Sequence, residues 1–263
     1  MNKYEKHIIF CNCKGERIPP DKLSDLREFL DKLPFRVTII SDICGVSAIE
    51  RESIAEILGE SKEYLVLGCY PRTMRLLLDQ AGGHRNKEFK QNFVNLIDSS
   101  SADIKESISR FCSDSISNTS HNEICEQSGW PSWYPVIDYD RCTACGQCAD
   151  FCLFGVYEKT SEKVTVVNPQ GCKNQCPACG RICPSTAIIF PKYKNGGAIG
   201  GSDEIDERAE QQRQAQDIET LLGNDIYHSL QKRKIKRQSI IREESMKKAL
   251  DERDNFLNEN KLS

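Results

Sequence analysis

No stretch of this sequence is long and apolar enough to cross a bilayer, which takes about 20 consecutive apolar residues. Met1 to Phe10 holds one short apolar run and no small-residue cleavage site, so secretion is not expected. Hydrophobic residues make up only 38% of the chain against 29% charged. That is apolar-poor for one globule, and part of the 263 residues is expected as solvated helix or linker. Neither sign of charge dominates, since 36 basic against 39 acidic residues leave a net −3. This argues against a globally basic nucleic-acid binder. A cytoplasmic protein with no membrane partner is expected. What the chain has in excess is cysteine, fourteen in all.

Eight of the fourteen fall between Cys142 and Cys183. A secreted disulfide scaffold would be short and carry a signal peptide, and neither is seen, so dense and regular thiols read as metal ligands. They form two runs, Cys142-x2-Cys145-x2-Cys148-x3-Cys152 and Cys172-x3-Cys176-x2-Cys179-x3-Cys183-Pro184. Matching tails follow, Phe154-Gly155-Val156-Tyr157 and Ser185-Thr186-Ala187-Ile188, as in a duplicated half. From about Pro135 to Pro191 the sequence resembles the ferredoxin-like family with two [4Fe–4S] clusters. The resemblance implies that three close cysteines wrap one side of each cubane while the fourth points to the other cluster. The implied sets are Cys142, Cys145, Cys148 and Cys183 for one, and Cys172, Cys176, Cys179 and Cys152 for the other. Leu153 stands where the family has proline, and the second run has one extra residue before Cys176. Zinc remains an alternative for such thiols, though structural zinc sites use pairs of C-x2–4-C knuckles. Disulfides are a further one.

The first 112 residues alternate strand and helix patterns. His7–Cys11, Arg36–Ile43, Tyr64–Gly68 and Phe93–Ile97 read as strands. Asp21–Leu33, Ser47–Leu58, Pro71–Gln80 and Ala102–Phe111 read as helices, which predicts a small parallel sheet with helices on its faces. Cys11 and Cys13, Cys44, and Cys69 are then placed at the ends of three successive strands, on the edge where open α/β sheets bind ligands. Lys14 and Arg72 beside them could favour thiolates. The segments Cys11-Asn-Cys13-Lys-Gly15, Asp42-Ile-Cys44-Gly45 and Gly68-Cys69-Tyr-Pro71-Arg72 resemble the opening of the heterodisulfide reductase A subunit. That resemblance implies a redox domain coupled to flavin and iron–sulfur electron transfer, yet no G-x-G-x-x-G follows a strand here. A third iron–sulfur centre or redox thiol site on Cys11, Cys13, Cys44 and Cys69 competes with ordinary burial of small apolar side chains. Cys112, Cys125, His7 and His84 have no partners at useful spacing and are expected to be structural.

The expected class is α/β plus α+β in five pieces. These are a parallel-sheet α/β domain (1–112), a linker (113–134), a bacterial ferredoxin-like domain (135–194), a glycine hinge (195–202) and a charged helical tail (203–263). In the tail, residues 203–225 carry eight acids against two arginines, and 228–250 eight bases against two glutamates. The tail reads as solvated helix or as a docking arm for a redox partner. The functional expectation is an electron carrier or accessory redox subunit without catalytic residues, passing single electrons through two [4Fe–4S] clusters. The alternatives are an iron–sulfur redox sensor or a subunit of a disulfide-reducing complex. Against the latter, Cys11-x-Cys13 is not the C-x-x-C of thioredoxin-like proteins.

Overall fold

Side-chain alternation in the first strands decides the architecture. In β1 (Tyr4–Cys11) Ile9 and Cys11 enter one core while Ile8 and Phe10 enter the other. β2 (Arg36–Ile40) and β3 (Ser61–Gly68) divide the same way, Ile40, Tyr64 and Val66 on one face and Val37, Ile39, Leu65 and Leu67 on the opposite one. Strands buried on both faces suit a parallel sheet covered by helices. The sheet has five parallel strands in the order β4-β3-β1-β2-β5, with β4 at Lys90–Asn95 and β5 at Ser120–Ile124. One face carries α1 (Pro20–Asp31) and α5 (Ser101–Cys112), through Leu23, Leu26, Leu30, Ile104 and Ile108. The other carries α2 (Ile43–Ile49), α3 (Arg51–Leu58) and α4 (Pro71–Gln80).

The computed structural model describes residues 4–13, 15–82, 90–113, 119–125 and 128–222. The chain forms two compact units, Met1–Gln211 and Gln212–Ser263. The cysteine-rich segment belongs to the first unit and is built from short pieces. β6 (Val136–Ile137) pairs antiparallel with β9 (Ile188–Ile189), and β7 (Tyr157–Lys159) with β8 (Val164–Val166). Two short helices, α6 (Gln147–Phe151) and α7 (Ala178–Arg181), carry Cys148 and Cys179. Ile137, Val164, Ile188 and Phe190 fill the core between them, with Trp133 stacked on Phe190 at 5.1 Å. The helix α8 (Glu207–Leu222) follows; among its described residues no helix is long and apolar enough to cross a membrane.

Several boundaries differ from expectation. The 113–134 segment contributes β5, which pairs with β2 from Arg36↔Ser120 to Ile40↔Ile124 and closes one edge of the sheet. A polar, half-exposed edge strand has no apolar alternation to betray it. The helix expected over Ser47–Leu58 is two, broken at Glu50 (φ −115°, ψ 49°) and started early by Asp42, whose carboxylate accepts the Cys44 N–H. The glycine run at 195–202 is a packed turn and not an open hinge, with Ala198, Ile199 and Gly200 buried. A Cβ on Gly200 would lie 2.6 Å from the Gly196 backbone, so the run is glycine-rich because its two arms touch. Of the tail, residues 223–263 lie outside the described residues, as does His84.

One buried side chain joins the α/β sheet to the cysteine-rich segment. Arg72, in the first turn of α4, donates through Nε to Asp138 at 3.0 Å, with both side chains under a tenth exposed. Its remaining donors reach the carbonyls of Thr186, Ala198 and Ser202 at 3.2–3.4 Å, while its backbone N–H binds Asp203 at 2.8 Å. Removing one partner of a buried pair strands the other charge. Arg72→Met is therefore expected to destabilise the protein by about 3–5 kcal/mol. Pairing it with Asp138→Leu should recover much of that loss, as read by urea denaturation.

Candidate metal centres

The two cysteine runs share a backbone signature that spacing alone does not reveal. Ala144 before Cys145 and Gln175 before Cys176 both take left-handed φ, at 55° and 61°. Three residues beyond Cys152 and Cys183, Gly155 and Thr186 do the same at 63° and 50°. Left-handed conformations at three non-glycine residues are costly and persist only where surroundings impose them. Here they turn each loop sharply just before Cys145 and Cys176 and again after Cys152 and Cys183. The extra residue before Cys176 leaves this turn in place.

Cys142, Cys145 and Cys148 line one hollow together with Cys183, which comes from the other run. Ile137, Val164 and Ile188 form its apolar wall. Burial pushes the Cys148 thiol up to about 12, and Cys183, Cys142 and Cys145 add to the rise as like charges. Asp138 O accepts the Cys142 N–H at 2.9 Å, and the Ala187 N–H points at Cys183 Sγ at 3.3 Å. The second set behaves in parallel. Burial raises Cys172 to about 12, and its charged neighbours are Cys176 and Cys152. Cys179 is likewise raised by burial, beside Cys172, Cys152 and Cys148, while the Tyr157 hydroxyl donates to its sulfur at 3.0 Å. Among the described residues no three Cys, His, Asp or Glu side chains meet where a single metal ion would sit. The thiols of the first set border a hollow, as the corners of a cubane require.

The four N-terminal cysteines come from three loops at the carboxyl edge of the sheet. Cys11 ends β1, with Cys13 two residues on, and Cys69 follows β3. Cys44 does not end a strand; it lies in the first turn of α2, because Asp42 caps that helix. All four are electrostatic neighbours, Cys13 in range of Cys11, Cys44 and Cys69. A hydrogen bond between the Cys11 and Cys13 thiols raises the buried Cys11 and lowers Cys13. Burial raises Cys69 to about 12 and Cys44 well above the usual thiol range. Arg72 points away from these thiols to Asp138, and Lys14 lies outside the described residues. The cations that face them are Arg17 and Lys192. Neither carries a motif, and Lys192 sits 148 residues beyond Cys44 in the chain, so only the fold brings it there. Cys112 packs on the opposite core, Cys125 is exposed, and His7 is a core residue with Nε2 2.9 Å from Thr38 Oγ1.

Residues 135–155 match the 4Fe-4S binding domain family. Over 64 residues the chain is 48% identical to an uncharacterized ferredoxin of Methanocaldococcus jannaschii, covering 24% of this chain and 44% of that protein. Over 65 residues it is 32% identical to the pyruvate synthase subunit PorD of Methanothermobacter marburgensis, covering 25% of this chain and 74% of that protein. The chain belongs to the 4Fe–4S ferredoxin family. No solved structure matches it. The residues of the ferredoxin segment fit an iron–sulfur group: four thiols line one hollow with an apolar wall, and loading it with iron must release a proton from the Cys148 thiol, whose pKa burial raises.

The Tyr157 hydroxyl supplies a test. A donor on a cluster thiolate stabilises the reduced, more negative form. Tyr157→Phe is expected to lower the reduction potential of an iron–sulfur cluster bound through Cys179. A differential of about 1 kcal/mol corresponds to roughly 40 mV, since a tenfold change is about 59 mV for one electron. Redox titration followed by EPR reads the shift.

Proposed function

We propose that this protein relays single electrons through two [4Fe–4S] clusters to or from a redox enzyme partner. One cluster is held by Cys142, Cys145, Cys148 and Cys183, the other by Cys172, Cys176, Cys179 and Cys152. The observation that carries the reading is Cys183 lining the same hollow as the first three cysteines of the opposite run. The clusters supply the one-electron chemistry. This chain's residues supply burial, the Tyr157 donor and the Ala187 N–H, which bias the potentials. Fold and function agree, in that the ferredoxin-like segment is clamped to the α/β sheet by Arg72 and does not swing on a linker.

A third iron–sulfur centre on Cys11, Cys13, Cys44 and Cys69 belongs to the same reading, since their convergence gives the α/β domain a redox role of its own. The relative that is a pyruvate synthase subunit supports an accessory-subunit role within a larger enzyme. The charge-segregated tail is the proposed docking arm for that partner. The neighbouring Cys11 and Cys13 thiols favour one second reading, a subunit of a disulfide-reducing complex resembling heterodisulfide reductase.

Anaerobic purification with iron and sulfide analysis tests the proposal. Two clusters require about eight iron and eight sulfide per chain, and a third raises both to about twelve. EPR of the dithionite-reduced protein should show interacting reduced cubanes. Zinc without labile sulfide would refute it.

A further inference from the structure

The surroundings of Cys11, Cys13, Cys44 and Cys69 carry an unbalanced charge. Asp42 is the carboxylate in range, and it is already engaged by the Cys44 N–H at 3.1 Å and by Lys192 at 2.5 Å. Against it stand two cations among the described residues. Lys192 reaches in from the ferredoxin segment, its side chain only 24% exposed, within electrostatic range of Cys44 and Cys13. Arg17 is within range of Cys69 and is pinned by a hydrogen bond from Nη2 to the Pro191 carbonyl and by the Tyr70 ring at 5.0 Å. Its Nη1 is buried with no hydrogen-bond partner among the described residues. Half-buried cations are expensive unless an anion faces them, and the one carboxylate of Asp42, already engaged by Lys192, does not offset both. Thiolates around an iron–sulfur core do, because such a centre carries net negative charge that deepens on reduction.

We propose that Arg17 and Lys192 are the charge-balancing residues of an iron–sulfur centre on the four N-terminal cysteines. Lys192 thereby makes the ferredoxin segment a component of a site otherwise built by the α/β sheet. The inference rests on the third-centre reading given above. Reduction adds one electron to the centre, taken from the added reductant, and moves no proton. Fixed positive charge nearby stabilises the reduced form and raises the potential, whereas Asp42 opposes it. Both cations are held at the seam itself, one by Pro191 and the other as the next residue. The potential of the N-terminal centre is thus tied to the seating of the ferredoxin segment, which neither module alone reproduces.

The test is an EPR-monitored redox titration of the full-length, anaerobically reconstituted protein with dithionite. The N-terminal centre is identified as the signal and iron lost in Cys11→Ser/Cys13→Ser. Lys192→Gln, which keeps a polar contact with Asp42, and Arg17→Gln are each expected to shift that signal to lower potential. Lys192→Arg should restore it, and Asp42→Asn, still able to cap α2, should shift it upward. The potentials of the two ferredoxin clusters should stay fixed, a pattern that mere loosening of the fold would not produce. An N-terminal centre that keeps its potential in both glutamine variants overturns the inference and leaves the third-centre reading standing. Iron content and signals unchanged by Cys11→Ser/Cys13→Ser overturn that reading, and the inference with it.

Discussion

The Arg72 guanidinium is the contact on which the rest of the first unit depends. From the first turn of α4 it reaches the Asp138 carboxylate, the Thr186 carbonyl and two carbonyls of the glycine-rich turn. Asp138 O holds the N–H of Cys142, and the Cys183 carbonyl accepts the Thr186 N–H at 3.1 Å. A single planar cation with several donors thus fixes the loops that bear one thiol from each run. An ammonium could not hold this many acceptors in fixed directions. The energy of such a pair is offset by desolvation, so its value lies in geometry more than in net stability.

Around that contact the two halves of the unit share an apolar seam. Tyr134 and Ile189 of the ferredoxin segment enter the same core as Ile9, Cys11 and Val66 of the sheet, and Cys172 packs against it. The Tyr134 hydroxyl donates to the Cys44 carbonyl at 2.8 Å, and the Trp133 indole to the Cys176 carbonyl at 3.4 Å. Neighbouring aromatics therefore hold the backbone of an N-terminal cysteine and of a ferredoxin cysteine. Thiol groups on both sides sit in largely buried surroundings. That explains the upward shift of Cys44, Cys69, Cys148 and Cys172 by the same physical cause.

Much of this was legible in the residues. The short continuous apolar runs at Ile8–Cys11 and Tyr64–Gly68 announce strands buried on both faces, and Pro71 marks the first turn of α4. The cysteine spacing announces the three close thiols of the hollow that Cys142, Cys145 and Cys148 line with Cys183. Other features were hidden. The strand Ser-His-Asn-Glu-Ile of β5 lies at a sheet edge, where one side of each residue meets water and no apolar pattern is demanded. Cys44 moved from strand end to helix turn through one capping carboxylate. Arg72, Arg17 and Lys192 act across separations that no local pattern encodes, and glycine reads alike in a flexible tether and in a turn whose arms touch.

The central claim is that each cubane takes its fourth ligand from the other run. Cys152→Ala addresses it most directly, with Mössbauer and EPR spectra of the anaerobically reconstituted full-length protein as the readout. The account predicts that the centre held by Cys172, Cys176 and Cys179 is lost or converted to a three-iron form, while the centre held by Cys142, Cys145, Cys148 and Cys183 keeps its signal. The reverse pattern, damage confined to the centre of Cys142, Cys145 and Cys148, would contradict it.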